Sequence, residues 1–429
     1  MKVGIVGAGV GGLTAAYDLV RAGAEVTIFE SADHVGGLSA GFKIPRWDWS
    51  VEQYYHHWFA SDSHLLGLIE ELGWSQRVLF PRPITAVYYD GQFYALDSAL
   101  AVVRFPGIPF HDRVRLGIVI AYLRYIAHWQ PLEGFTADSW MRRWVGERAY
   151  KALWEPLLVG KFGTHFRDVN MAWMWARFKA RTPRLGTFEG GFQAFMDDLA
   201  DHVRAEGVEI RMRTPMRRIE PRSEGGLRLT FDGGEMIVDQ CLATTSPGQL
   251  AKLASNLPSE YLDRLIAMKS MGAVVIVMAL KHQLSEGGVY WHNLPKDAGF
   301  PFLSLVEHTN FISREFFGDD YIVYCGDYLD PDHEYFSLSK EELLERFLPT
   351  LPRINPRFNP DWVRDTWLFR TAYAQPVPPV NHSKAIPDIK TPIPGLWFAS
   401  MSQVYPWDRG TNYAVEIARR TARQMLLEG

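Results

Sequence analysis

Six residues near the start of the chain, Gly7-Ala8-Gly9-Val10-Gly11-Gly12, have the types and spacing to hold a pyrophosphate. Gly7 permits a tight turn, Gly9 lets the backbone approach the phosphates, and Gly12 lets a helix pack closely on a strand. A helix opening at such a turn presents free N–H groups around Val10 and Gly11, and a positive dipole end, to negative charge. Glu30 follows Gly12 by eighteen positions, at the end of the next β-branched run. A carboxylate there suits the 2′-hydroxyl of an adenosine ribose and disfavours a 2′-phosphate. Ser31 is counted with the same contact. These residues point to a bound dinucleotide, with NAD and FAD both open.

The elements that must position this motif are legible around it. Lys2–Val6 and Glu25–Phe29 read as buried strands, and the apolar spacing of Leu13–Arg21 predicts a helix between them that Gly23 stops. A β-α-β unit of this length implies a parallel sheet with a right-handed crossover. Ala86–Tyr89 and Gln92–Leu96 flank Asp90-Gly91, a hairpin signal, and Leu227–Phe231 and Glu235–Val238 form another pair. Residues 97–185 read as mainly helical, Phe192–Arg204 as an amphipathic helix, and Val208–Met212 and Gln240–Thr244 as strands. Residues 271–280 and 321–328 are strands of a second sheet, and proline-rich 374–394 is a connector. Leu396–Ala399 and a helix over Thr411–Leu427 close the chain with another piece of α/β structure. The fold class expected is therefore α/β. A discontinuous nucleotide domain would comprise 1–80, 186–265 and 385–429, with an α+β substrate domain inserted from 81–185 and 266–384.

Composition narrows the function classes. The chain has 429 residues, is 47% hydrophobic, and carries a formal net charge of -4. That balance gives no electrostatic case for nucleic acid. Cys241 and Cys325 lack CxxC partners and read as two reduced thiols of a cytoplasmic protein, with no disulfide and no metal site. No secretory segment precedes the glycine motif. The longest apolar helical stretch, Leu116–Ala127, is interrupted by Arg124 and falls short of the roughly 20 residues a membrane span needs; peripheral membrane contact stays open. Walker A, HExxH, GxSxG and EF-hand patterns are missing.

His34-Val35-Gly36-Gly37-Leu38-Ser39 adds a second double glycine after Glu30. It resembles the ExxxxxGG segment of the flavin amine oxidase superfamily, which includes protoporphyrinogen oxidases, phytoene desaturases and monoamine oxidases, with UDP-galactopyranose mutases more distant. The resemblance implies FAD and a Rossmann-like FAD-binding domain of the GR2 type. The GVEIRMRTPMRRIE segment is similar to the relatives' strand that contacts adenine, which would place Met216 there. The run Cys241–Pro247 and the final GLWFAS strand are similar to two further flavin segments. Two departures stand out. Leu38 occupies a place where many relatives have Arg, and Ala399-Ser400-Met401 replaces their Gly-Asp. On this reading Ser400 approaches the cofactor, Asp408 caps the last helix, and N–H groups at Gly410, Thr411 and Asn412 face the flavin pyrimidine.

Candidates for catalysis follow from the same resemblance. Glu52–Phe59 lies where these proteins approach the flavin ring, and His57-Trp58-Phe59 resembles a His-x-Phe element of the mutases; a neutral His57 could hydrogen-bond the flavin or move a proton. Trp154–Gly163 resembles a cavity-lining helix, and Tyr373 and Gln375 fall in a stretch that faces the active site. Glu307-His308-Thr309-Asn310 is either active-site or hinge. The expectation is an FAD-dependent oxidoreductase that removes a hydride from a C–C, C–N or C–O single bond of a small molecule. Aromatic content of 14% and the apolar 102–129 region favour a lipid or isoprenoid substrate. Without a second GxGxxG for NAD(P)H, oxygen or a quinone would take the electrons. The alternative is a redox-neutral sugar-nucleotide mutase, against which no set of arginines for a diphosphate is legible.

Overall fold

Five short β-branched runs from distant parts of the chain pair side by side in the computed structural model, which describes residues 1–96 and 98–428. The order is Glu209–Arg211, Glu25–Phe29, Lys2–Val6, Gln240–Ala243 and Leu396–Phe398, and every pairing is parallel. A parallel sheet must be covered on both faces, and the period of two decides which residue meets which cover. Val3, Ile5, Val26, Ile28 and Leu242 face one way, against the helices Val10–Arg21, Phe192–Ala205 and Thr411–Glu428. Val6, Phe29, Cys241 and Ala243 face the other, against an antiparallel layer of Met216–Pro221, Leu227–Phe231 and Gly234–Val238. The result is the Rossmann-like architecture expected, its last strand contributed by the C-terminal part of the chain.

A second sheet has seven strands, in the order Val363–Pro376, Ser270–Leu280, Tyr321–Leu329, Ser304–Glu307, Val289–Asn293, Ile84–Tyr89 and Gln92–Ala95. All neighbours are antiparallel except Val289–Asn293 with Ile84–Tyr89. Ser270–Leu280 is apolar from Met271 onward because both its faces are covered there. Val274, Ile276 and Met278 pack with Phe302 and Phe347, whereas Val275, Val277 and Ala279 pack with Trp47, Tyr290 and Tyr324. Short helices between Ala99 and Ala180 form a separate layer around Tyr150, Phe162 and Trp173.

Several boundaries differ from the sequence reading. The first helix starts at Val10 rather than Leu13, because Gly11 and Gly12 are its first turn. GVEIRMRTPMRRIE is two strands, not one: Arg213 takes a left-handed conformation (φ 51°), leaving Glu209–Arg211 in the parallel sheet and sending Met216–Pro221 into the antiparallel layer. The connector 374–394 begins inside the strand Val363–Pro376. The quartet at Glu307 is a structural tie. The buried Glu307 carboxylate accepts from the Leu284 and Ser285 N–H groups at 3.0 and 2.7 Å, and Asn310 Nδ2 donates to Ser285 Oγ at 2.9 Å. It fixes the turn after Ser270–Leu280. Among the described residues, no helix is long and apolar enough to cross a membrane.

Candidate active site

Between the two sheets lies a cavity of about 680 Å³. Its walls bring together Gly7, Gly9, Val10, Gly11, Glu30, Ser31, Gly36, Gly37 and Leu38 from the first β-α-β unit, and Met216 from the antiparallel layer. Ser400, Asp408, Gly410, Thr411 and Asn412 arrive from the C-terminal stretch, and His57 and Tyr373 complete the wall. Gly12 and Gln375 do not border the cavity.

The glycines divide by what surrounds them. A Cβ on Gly12 would stand 2.0 Å from the Gly7 carbonyl oxygen, so Gly12 is required by helix–strand packing. Gly9 is different. Its φ of -75° suits any residue, and a Cβ there would meet the protein no closer than 3.9 Å. Protein packing alone does not demand a glycine at position 9; an approaching phosphate would. The second double glycine packs onto the first: Gly36 N–H donates to the Ala8 carbonyl at 2.9 Å, and a Cβ on Gly37 would lie 3.4 Å from Gly9 Cα. Glu30 accepts from the Ala8 and Ala32 N–H groups at 2.8 and 2.9 Å, which fixes its carboxylate at the cavity edge. Two helices of 12 and 18 residues start at this wall, Val10–Arg21 and Thr411–Glu428. A cradle open at Gly9, a carboxylate at Glu30 and two helix starts fit a dinucleotide.

His57 sits among Phe59, Tyr290 and Trp291, with ring centroids 5.3, 6.4 and 5.9 Å away. Its Nδ1 is buried and has no partner among the described residues. Burial, reinforced by the Arg181 guanidinium, pushes its pKa down to about 3, so the ring is neutral at physiological pH. His56 is likewise pushed down to about 4 by burial, and its Nδ1 lies 2.5 Å from the Tyr54 carbonyl. The Tyr373 hydroxyl lies 2.7 Å from Ser400 Oγ and 2.6 Å from Ser402 Oγ, and it accepts from the Ser402 N–H at 3.2 Å. Burial raises that hydroxyl to about 12, so it remains a hydrogen-bonding group rather than an acid.

Asp408 does not cap the last helix, which begins three residues later at Thr411. Its carboxylate instead accepts from Trp173 Nε1 at 3.1 Å, Gln375 Nε2 at 3.3 Å and Arg177 Nη1 at 3.3 Å. Burial opposes that charge, yet Lys161, Arg409, Arg177 and Arg181 hold Asp408 well below the ordinary carboxylate range. Gln375 lies behind the wall. Its Oε1 accepts from Arg409 Nη1 at 3.0 Å and Lys161 Nζ at 3.4 Å, so its amide is engaged by charged neighbours.

The four cations are the part of the site that sequence reasoning missed. Lys161, Arg177, Arg181 and Arg409 all border the cavity. Among the described residues, only Arg177 forms an ion pair within the cluster, with Asp408. Burial, with Arg409 and Arg177 nearby, pulls the Lys161 ammonium well below its ordinary range. Burial lowers Arg177 to about 9, which still leaves it charged at neutral pH. The resemblance of Trp154–Gly163 to a cavity-lining helix and the i, i+4 spacing of Arg177 and Arg181 were the available signals, but Arg181 lies just past the helix Met171–Ala180 and the cluster forms only through tertiary structure.

The flavin-containing amine oxidoreductase family model matches residues 10–426. A 15-cis-phytoene desaturase of Narcissus pseudonarcissus is 24% identical over 406 residues, covering 83% of this chain and 66% of that protein, just under two thirds of its length. Reduced UDP-galactopyranose mutase superposes with a TM-score of 0.77 at 14% identity, covering 100% of this chain and 96% of the other. Cyclohexylamine oxidase from Brevibacterium oxydans does so with a TM-score of 0.75 at 16% identity, covering 100% and 99%.

Proposed function

Because this chain belongs to the flavin-containing amine oxidoreductase family, and is on that ground an FAD-dependent oxidoreductase, we propose that it removes a hydride from a C–C, C–N or C–O single bond of a small molecule bound in the central cavity. The observation that carries this reading is the continuity of that cavity, which runs from the glycine cradle at Gly9 to His57 and Tyr373. FAD, when bound, supplies the hydride-accepting chemistry. Gly9, Val10 and Gly11 hold its pyrophosphate, with Gly36 and Gly37 packed behind them; Glu30 and Ser31 meet the adenosine ribose, and Met216 meets the adenine. Leu38, Ser400 and the helix start at Gly410–Asn412 lie along the flavin end. His57, neutral and unpartnered at Nδ1, is placed to exchange a hydrogen bond with the bound reactants. Tyr373, held by Ser400 and Ser402, orients the opposite wall.

Oxygen or a quinone takes the electrons in this reading, and the discontinuous nucleotide domain of 1–80, 186–265 and 385–429 carries the cofactor. Peripheral membrane contact belongs to the same proposal. Phe110, Val114, Ile118, Tyr122, Tyr125 and Ile126 are 43–76% exposed along one face of consecutive helical turns, while Leu116, Val119 and Leu123 face inward. Such a contiguous apolar stripe on a surface helix suits the boundary of a bilayer. Exposed Arg104 and Arg143, on two helices that contact Phe110–Ala121, suit anionic headgroups.

The purified protein is expected to show a flavin absorption band that bleaches when its substrate, from a panel of alcohols, amines and isoprenoids, is added anaerobically. A protein that stays colourless after incubation with FAD would overturn the proposal. A redox-neutral reaction would show turnover of a sugar nucleotide only after flavin reduction, with no acceptor consumed.

A further inference from the structure

We propose that the cluster of Lys161, Arg177, Arg181 and Arg409 is the seat for a doubly or triply charged phosphate-class group on the substrate. The inference rests on the central cavity being the flavin and substrate site. Four cationic side chains border one region of the cavity, and one carboxylate, Asp408, stands among them. Among the described residues, the other carboxylates on the cavity wall are Glu30, at the first β-α-β unit, and Asp62, whose Oδ2 accepts from the Phe59 N–H at 2.9 Å and which burial raises to about 6. Neither pairs with a cluster member among the described residues.

The partners of the four cations are otherwise neutral. Arg409 donates to the Ala374 carbonyl, to Gln375 Oε1 and to the Tyr328 hydroxyl. Lys161 donates to Gln375 Oε1 at 3.4 Å and stands 4.6 Å from the centre of the Tyr328 ring. Arg181 is the most available. It stands deep among protein atoms, yet its side chain is exposed to the open volume, with its guanidinium 5.6 Å from the Phe59 ring. Among the described residues that guanidinium has no side-chain hydrogen bond and no carboxylate. Enclosed like charges with so few counter-charges raise one another's energy, and an anion relieves it.

Charge number selects the class of anion. Four cations against one carboxylate leave a formal excess of three when all are protonated, and of two when Lys161, whose ammonium burial disfavours, is neutral. A single carboxylate would offset one of these; a diphosphate offsets two or three. Guanidinium forks also match phosphate oxygens two at a time. Lys161 comes from the helix Glu155–Phe162, Arg177 from the helix Met171–Ala180 and Arg181 from the residue after it, elements other than the β-α-β unit that carries the glycine cradle. Tyr54, Tyr55 and Trp291, which also line the cavity, give the uncharged part of such a substrate an aromatic surface. An alkylammonium substrate would meet like charge here.

The test uses FAD-loaded protein titrated with inorganic pyrophosphate, followed by the perturbation of the flavin spectrum and by calorimetry, with succinate and 1,5-diaminopentane as comparison probes. Pyrophosphate is expected to bind at least tenfold tighter than succinate, and the diamine not at all. In Arg181→Ala and in Lys161→Met, the affinity for pyrophosphate should fall at least tenfold while FAD content and thermal midpoint stay at the wild-type values. Wild-type affinity in both variants overturns the inference, as do preferential binding of succinate or the diamine and release of FAD by pyrophosphate. Loss of FAD from folded variants also overturns it, since the cluster would then serve the cofactor. A protein that never takes up FAD fails at the earlier step, by a different readout.

Discussion

At the scale of single residues, two glycines three positions apart in the same motif, Gly9 and Gly12, have opposite reasons to exist. Gly9→Val should leave the fold and thermal midpoint close to wild type while abolishing FAD retention, because its side chain would enter the phosphate approach rather than the protein. Gly12→Ala should behave in reverse order. Its Cβ would fall 2.0 Å from the Gly7 oxygen, and overpacking of that kind costs about 1–3 kcal/mol or more, so the folded fraction drops first. Bound flavin per folded molecule, read by absorbance alongside circular dichroism, separates the two. Stoichiometric FAD in folded Gly9→Val would refute the placement of the phosphates. The glycine motif and Glu30 were legible because their spacing is local. The roles of Asp408 and Gln375 were not, because their partners Trp173, Arg177 and Lys161 lie more than two hundred positions away.

Elements carry the next level. Hydrophobic period was enough to find the strands of the parallel sheet and the hairpin at Asp90-Gly91, where both residues take positive φ as such a turn requires. It was not enough for the helical layer. The run Leu116–Ala127 has buried Leu116, Val119 and Leu123 on one side and exposed Ile118, Tyr125 and Ile126 on the other, and apolar residues on both faces conceal which one is the core. The exposed face makes a prediction. Wild-type protein should sediment with vesicles containing anionic phosphatidylglycerol, and Ile118→Glu combined with Tyr125→Glu should reduce this at least tenfold. Each lost apolar contact is worth about 1–2 kcal/mol, so two suffice. Flavin content should not change. A wild-type protein that stays in the supernatant would remove the membrane contact from the proposal.

For the whole molecule, the joint between the two sheets sits on Glu52. Its Oε1 accepts from the Phe192 N–H at 3.1 Å, at the start of a helix that covers the parallel sheet, and its carbonyl accepts from the Tyr324 hydroxyl of the seven-stranded sheet at 2.9 Å. Its Oε2 has no partner among the described residues. Burial raises this carboxyl from its ordinary 4.5 to about 7, against the smaller opposing effect of the Phe192 N–H. A raised folded-state pKa means that the folded protein holds the proton more tightly. The stabilisation is complete below pH 4.5 and is lost as pH rises through 7, at about 1.4 kcal/mol per pH unit over that window. Glu52→Gln, which keeps the Oε1 acceptor, should flatten this part of the stability profile, so that the variant gains on wild type by roughly 3 kcal/mol at pH 8 relative to pH 4.5. Parallel denaturant titrations across pH would show it, and identical profiles would refute a buried ionising Glu52. By itself the sequence determined the β-α-β unit, the cradle and its acid, and the family resemblance, since all depend on residues close together or on short runs with a fixed period. Only tertiary structure decided the charge of the central cavity, because Lys161, Arg177, Arg181 and Arg409 come from separate turns and a C-terminal loop. Their effect on one another depends on distance through the fold, which no spacing along the chain encodes.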